Sequence, residues 1–210
     1  DQTLGKDLMS LFNQLSGLSS DAHFNRILVA PRDLRIELIK RIRREKENHL
    51  NGKPSYIRWK VNSLLDPKMI DELYEAAKAG VKIDLITRGI CAMRMSHIDR
   101  HQNVRIRSIL GRFLEHSRIY SFHNDGSPEY YIGSADVMDR NLDRRIETLV
   151  QVIDPNHVQQ LDQILTESFS NHYKHWLMDS DDQWRFVHKN SNRIDLEDFQ
   201  EFFLAEVTND

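Results

Sequence analysis

The chain has 210 residues, 40% hydrophobic and 29% charged, enough for one core plus an appendage and within the ordinary range for a globular protein. Its single cysteine, Cys91, excludes an internal disulfide framework and a cysteine-rich zinc site, and suits a reducing compartment. The formal net charge of −3 conceals a division: residues 88–118 hold seven arginines against two acids, and residues 179–210 hold nine acids against three bases, so the middle reads as an anion-facing surface and the tail as a solvated or partner-facing acidic segment.

The opening "DQTLGKDLMS" shows no charged-then-apolar leader, and a start at Asp without Met reads as a fragment. No apolar run approaches the roughly 20 residues of a membrane helix. "KDLMSLFNQLSG" sets Leu8, Leu11, Phe12 and Leu15 at helical spacing, with Gly17 as the stop. "RILVAP" is a short strand closed by Pro31. The run that follows, to Asn51-Gly52, is a long helix with Leu34, Leu38 and Ile42 on one stripe and bases on the other. "SYIRWKVNSLL" alternates as a strand. "DPKMIDELYEAAKAG" is a helix with Asp66 at the N-cap, Pro67 in the first turn and Gly80 at the exit. "VKIDLITRG" is the next strand, which completes a βαβ unit and makes the sheet at least partly parallel.

"ICAMRMSHIDRHQN" has weak periodicity and reads as a loop. "VRIRSIL", "SRIYSFH", "EYYIGSAD" and "RRIETLVQVID" are four more strands, with the turn-rich "NDGSPE" between two of them. Residues 154–177 read as one long helix opened by Asp154-Pro155, "QWRFVHK" as a short strand and "DLEDFQEFFLAEV" as a terminal helix. The fold class is therefore α/β, a mixed β-sheet with flanking helices. The expected divisions are a linking helical segment over 1–20, the main domain over 21–178 and an acidic, helical extension over 179–210.

Three stretches offer chemistry at strand ends, the usual place for it in such sheets. In "RFLEHSRIYSFH" a strand over 115–123 would set His116, Arg118 and Tyr120 on one face. A guanidinium beside the imidazole would favour its neutral form, able to accept or donate a proton or to attack phosphorus; a half-exposed surface histidine fits the same pattern. In "ITRGIC" Arg88 follows a strand and precedes Gly89, which suits bidentate phosphate binding or the capping of a neighbouring carboxylate. In "YIGSADVMDRN" a strand ending at Gly133 is followed by Ser134, Asp136, Arg140 and Asn141, either a ligand-lining set or a polar loop.

Taken together these stretches are rich in arginine and poor in carboxylate, a composition that suits phosphate chemistry better than glycoside cleavage, which needs paired carboxylates. No glycine-rich nucleotide loop is present. His172 and His175, three apart on the expected helix, lack a third metal ligand nearby, and no metal site is expected. Trp59, Trp176 and Trp184 read as core or interface residues.

"FNRILVAPRDLR", "VNSLLDPKMIDELYEAAKAGVKIDLITRGIC", "NVRIRSILGRFLEHSRIYSFHN" and "YIGSADVMDRNLDRRIE" closely resemble the C-terminal part of polyphosphate kinases, and "DLMSLFNQLSG" the segment joining the last two domains of that family. The resemblance covers residues 7 to about 155, and the tail after Asp179 matches nothing recognisable. It implies a phospholipase-D-like domain, the last of two in much longer enzymes that reversibly pass the ATP γ-phosphate to inorganic polyphosphate. The family's phosphorylated histidine lies in the preceding domain.

Residue by residue, the resemblance implies that Arg88 and His116 contact the nucleotide phosphates, with His116 assisting transfer. Arg112, Arg118 and Arg140 would add positive field, Ser134 would line the site, and Asp136 and Asn141 would orient neighbours. The phospholipase D pattern stands here as His116-Ser117-Arg118 and Gly133-Ser134-Ala135-Asp136, with Arg for Lys and Asp for Asn. The implied partners are ATP or ADP with Mg²⁺ carried on the nucleotide, polyphosphate, the enzyme's remaining domains and further copies in a homo-oligomer, and no nucleic acid. The implied location is cytoplasmic or peripheral to the inner membrane surface. Two rivals stand beside this expectation: a phospholipase-D-like phosphodiesterase or nuclease half-site, and a non-catalytic anion-binding or assembly module.

Overall fold

The structure, a computed structural model, describes residues 1–18, 23–98 and 101–208, apart from the side chains of 101 and 206–208. Helix α1 (Gln2–Leu15) leads to β1 (Ile27–Ala30), α2 (Leu34–Leu50), β2 (Tyr56–Val61), α3 (Pro67–Ala79) and β3 (Lys82–Thr87). Then come β4 (Val104–Ser108), β5 (Ile119–Phe122), β6 (Glu129–Gly133), β7 (Glu147–Val152), α4 (Pro155–Ser168), β8 (His175–Met178), β9 (Trp184–Val187) and α5 (Phe199–Thr208). The described strands form one mixed sheet in the order β1-β7-β6-β5-β2-β3-β4-β8-β9. β2, β3 and β4 run parallel, and every other pairing is antiparallel.

Alternation along the strands feeds two faces. Ile57, Trp59, Ile83, Leu85, Tyr120 and Phe122 point to one, where the buried stripe Leu34, Leu38 and Ile42 of α2 and the Met69, Leu73 and Ala76 edge of α3 cover them. Full burial of each large side chain here contributes about 1.5–3 kcal/mol. Trp59 meets Tyr120 and Phe122 edge-on, with ring centres 5.1 and 5.9 Å apart. The opposite face carries Ile119 and Tyr130 under α4, and Ile86 under Phe169 and Phe199. α1 lays Leu11 over Ile27 and Val29, which shields the edge strand β1.

The expected caps of α3 are present: Asp66 accepts from the Met69 amide at 2.9 Å, and Gly80 takes the left-handed conformation at φ 113°. The bases of α2 are paired and not merely solvated: Arg41 and Arg44 reach Glu129, Arg43 reaches Glu72, and Arg35 joins Asp66 to Asp143. At the far end of β5, residues 123–128 form an exposed turn with Asn124, Asp125 and Gly126 at positive φ.

Four expectations need correction. The strand expected over 115–123 begins at Ile119, so His116 and Arg118 belong to a loop, and Tyr120 shares no face with them: it is buried under α2 and donates its hydroxyl to the Ala135 carbonyl at 2.9 Å. The helix expected over 154–177 ends at Ser168. His172 and His175 therefore share no helix face, and His175 is buried on β8 with Nδ1 2.7 Å from the Tyr173 carbonyl oxygen. The acidic tail is not simply helical and solvated: β8 and β9 pair across residues 178 and 179, Asp182 accepts from Ser96, and Asp198 accepts from the first amides of α5. The expected boundary at residues 20 and 21 lies outside the described residues, as does Arg100.

Candidate functional site

The strand directions gather the arginine-bearing loops at one edge of the sheet. Because β2, β3 and β4 are parallel, the chain after Val61, Thr87 and Ser108 leaves at the same edge. β5 and β7 begin there, β1 and β6 end there, and so residues 31–33, 62–66, 88–92, 109–118 and 134–146 share that edge. Segment 62–66 is the keystone. Leu64 donates to the Ile90 carbonyl and accepts from the Ala92 amide, while Leu65 and Asp66 donate to the Val137 carbonyl at 2.7 and 3.0 Å.

Asn62 ties the functional side chains together. Its Oδ1 accepts from Arg88 Nε at 2.8 Å, and its Nδ2 and backbone amide donate to Asp136 Oδ1 at 3.3 and 2.7 Å. The other Asp136 oxygen accepts from Arg118 Nη2 at 2.8 Å. A continuous line Arg88–Asn62–Asp136–Arg118 thus crosses the ends of four strands. Burial pushes the Asp136 carboxyl up, but Arg118 and the Asn62 amide outweigh it and hold the group below the usual aspartate range. Arg118 also donates from Nη1 to the His116 carbonyl at 3.1 Å. Gly89 allows a close approach of backbone to backbone: its amide donates to the Asn62 carbonyl at 2.7 Å, and a Cβ would sit 3.1 Å from that oxygen.

Arg88 is half-buried, its Nε fixed by Asn62, and its two Nη nitrogens have no partner among the described residues. It lines an open depression of about 460 Å³ together with Gly89, Gly111, Arg112 and Glu115. Arg112 is exposed, its guanidinium carbon 5.3 Å from the centre of the Phe113 ring. The His116 side chain is exposed on the same loop. Ser134 is exposed and accepts from the Thr148 amide at 3.3 Å. Arg140 is exposed at the start of a π-helical turn over Arg140–Arg144, whereas Asn141 is buried and donates to Glu147. The other arginines of 88–118 go elsewhere: Arg105 pairs with Asp84, Arg107 holds the Ser170 carbonyl and Asn171, and Arg94 approaches Asp182.

Two participants escaped the sequence reading, Asn62 and Lys60. Lys60 is buried at the end of β2, and its Nζ lies 2.8 Å from Glu115 Oε1 and 3.0 Å from Ser117 Oγ. Burial pulls this ammonium below the ordinary lysine range, opposed by the Glu115 carboxylate and helped by the charge of Arg88. In the sequence, alternation sets Lys60 with Tyr56 and Arg58 on the face opposite Trp59, and a lysine closing that strand face was the available signal for it. Asn62 follows β2 just as Arg88 follows β3.

The family model described as polyphosphate kinase C-terminal domain 2 matches residues 27–196. The chain belongs to the polyphosphate kinase C-terminal domain family. The polyphosphate kinase of Streptomyces coelicolor is 44% identical over 204 residues, which cover 97% of this chain and 27% of that protein. That of Parasynechococcus marenigrum is 48% identical over 178 residues, covering 85% and 25%. The chain thus spans about a quarter of the length of these curated relatives. The crystal structure of polyphosphate kinase from Porphyromonas gingivalis superposes with a TM-score of 0.90 at 36% identity, covering all of this chain and 32% of the other. The match therefore runs past residue 155 and through the acidic tail, farther than the motifs alone indicated.

A phospholipase D family member, Nuc from Salmonella typhimurium, superposes with a TM-score of 0.51 at 14% identity over 77% of the chain, and so the fold is phospholipase-D-like. In this polyphosphate kinase domain the two departures from the phospholipase D pattern meet in space: Arg118 and Asp136 are partners in one buried ion pair. No helix among the described residues is long and apolar enough to cross a membrane.

Proposed function

We propose that this domain supplies the nucleotide-phosphate contacts of a polyphosphate kinase that moves the ATP γ-phosphate to inorganic polyphosphate and back. The observation that carries the reading is the tethered Arg88. A guanidinium held at Nε keeps a two-nitrogen fork free, the geometry that matches two phosphate oxygens. Arg112, lining the same depression, adds a second cation, and phosphoryl transfer depends chiefly on such positioning and charge neutralisation. His116 is the group at this edge suited to hold or release a proton at the transferred phosphoryl, or to accept the phosphoryl itself. Ser134 and Arg140 are exposed on loops of the same edge, where Arg140 adds field, and the charge of Arg118 is matched by Asp136, while Asp136 and Asn141 orient their neighbours. The family's phosphohistidine, in this reading, is supplied by another domain of the longer enzyme.

Mg²⁺ belongs to the substrate as the ATP complex. The two carboxylates nearest Arg112 and Arg118, Glu115 and Asp136, are paired with Lys60 and Arg118. Arg118 is occupied by Asp136, which disfavours the rival phosphodiesterase reading; that rival predicts cleavage of a phosphodiester without nucleotide.

Titration calorimetry of the chain with a non-hydrolysable ATP analogue and Mg²⁺, and separately with short polyphosphate, tests the proposal. Arg88→Ala and His116→Ala should each weaken analogue binding roughly ten- to hundredfold, the loss of a charge-assisted contact. Equal affinity in wild type and both variants refutes it.

A further inference from the structure

The loop 109–118 presents Arg112 and His116; Ile109 anchors its start in the core, but apolar burial does little to hold the tip. Phe113 and Leu114 at its tip are 50% and 73% exposed. The position of this tip is set by polar contacts from two sides. From within the sheet, Lys60 holds Glu115 and Ser117, and Ser117 Oγ donates to Glu115 Oε1 at 2.7 Å. From outside, the Gln200 side chain of α5 meets the backbone of Phe113 reciprocally: Oε1 accepts from the Phe113 amide at 2.7 Å, and Nε2 donates to its carbonyl at 2.9 Å. The pair reproduces the two-bond exchange of an antiparallel strand bridge.

α5 is itself rooted in the fold. Asp198 accepts from the amides of Gln200 and Glu201 at 2.8 and 3.3 Å. Phe199 is buried with Ile86, Ile109, Phe169 and Tyr173, its ring centre 5.6 Å from that of Tyr173. Gly111 lies directly under the Gln200 amide, where a Cβ would fall 2.3 Å from Oε1. Behind this clamp a cavity of about 430 Å³, lined by Lys60, Ile164 and Phe203 among others, separates loop from helix, so the Gln200 amide bridges a gap that side-chain packing leaves open.

We propose that Gln200 is a positioning residue of the nucleotide site: its amide fixes the loop so that Arg112 lines the same depression as Arg88, with His116 farther along the same loop. The inference rests on the phosphate-binding reading above and extends it to the C-terminal helix. If the loop samples other positions once released, apparent affinity falls by the fraction of time it is correctly placed.

The test combines backbone hydrogen exchange of the 111–118 segment with calorimetry of the ATP analogue plus Mg²⁺, on wild type, Gln200→Ala, Gln200→Glu, Gly111→Ala and Arg88→Ala. Gln200→Ala and Gly111→Ala remove the same clamp from its two sides. Both should speed exchange of the segment and weaken analogue binding about five- to twentyfold, with protection largely regained at saturating analogue because coupling is reciprocal. Gln200→Glu keeps the acceptor for the Phe113 amide but sets a carboxylate against the Phe113 carbonyl, and should fall between. Faster exchange with unchanged analogue affinity, while Arg88→Ala loses binding, overturns the inference and leaves the phosphate site standing. Unchanged exchange in both clamp variants overturns it as well. Unchanged affinity in every variant, Arg88→Ala included, removes the phosphate site and the inference together.

Discussion

Asp136→Asn probes how the strand ends are held together. Every contact of this carboxylate is with a donor: the Asn62 and Ser63 amides and Asn62 Nδ2 on one oxygen, Arg118 Nη2 on the other. An asparagine offers one acceptor oxygen, so its NH₂ must face either the amide cluster or the guanidinium, donor against donor. Removing one partner of a buried ion pair costs about 3–5 kcal/mol. The Arg118 side chain keeps 11% exposure, which places the expected cost in the lower half of that range, about 3–4 kcal/mol. At roughly 2–4 °C per kcal/mol for a chain of this size, Tm should fall by about 10 °C at neutral pH.

The effect carries a pH signature. The folded pKa of Asp136 is depressed, so the stability it contributes is present above the unfolded value, about 3.9, and is lost as pH falls through the folded value. The gap between wild type and variant should hold above about pH 4 and close below it. Scanning calorimetry across that range measures both quantities. A variant within about 1 °C of wild type at neutral pH, or a gap that stays constant in acid, would show that Asp136 is not the joint described.

Three further outcomes follow from the same contacts. Asn62→Ala frees Arg88 without removing its charge and should weaken analogue binding about three- to tenfold, less than Arg88→Ala, by calorimetry. Gly133→Ala would set a Cβ 1.9 Å from the Thr148 carbonyl oxygen on the paired strand β7, where backbone cannot yield; a loss of more than about 3 kcal/mol should appear as a lowered urea midpoint. Burial pushes the Cys91 thiol up to about 11. At pH 8 its alkylation by iodoacetamide should therefore be about a hundredfold slower in the folded chain than in urea, and equal rates would show that the thiol is not shielded.

Local sequence carried much of the architecture. α2 and α3 announce themselves through an apolar stripe and a glycine exit, and α3 also through its Asp-Pro start, each a signal contained in one stretch of chain. Residues 169–177 did not, because what stops α4 is remote: Arg107 of β4 takes the Ser170 carbonyl and the Asn171 side chain, and Phe169 drops into the core beside Ile86 and Ile109. The early part of 115–123 was misread for a related reason. His116 and Arg118 alternate as strand residues would, but Glu115 and Ser117 are committed to Lys60, which draws this stretch out of the sheet ladder.

At the candidate site the types of residue were legible and their division of labour was not. Seven arginines in one segment suggested a single charged surface, yet alternation along β4 sends Arg105 and Arg107 toward the α4 side, and of that segment's described arginines Arg88, Arg112 and Arg118 reach the strand-end edge. Asp136, expected to orient a neighbour, is paired with Arg118, and the asparagine that links it to Arg88 drew no notice because one polar residue after a strand carries no pattern.

The exposed 123–128 turn at the other end of β5 has a practical meaning. It lies a full strand length away from Arg88 and His116, and no loop of the candidate site approaches it along the sheet. A dye, an affinity handle or a surface tether spliced at Gly126 would leave the anion-facing end open to solvent. Immobilised that way, the domain could be exposed to nucleotides and phosphate polymers of graded length without the attachment competing for them.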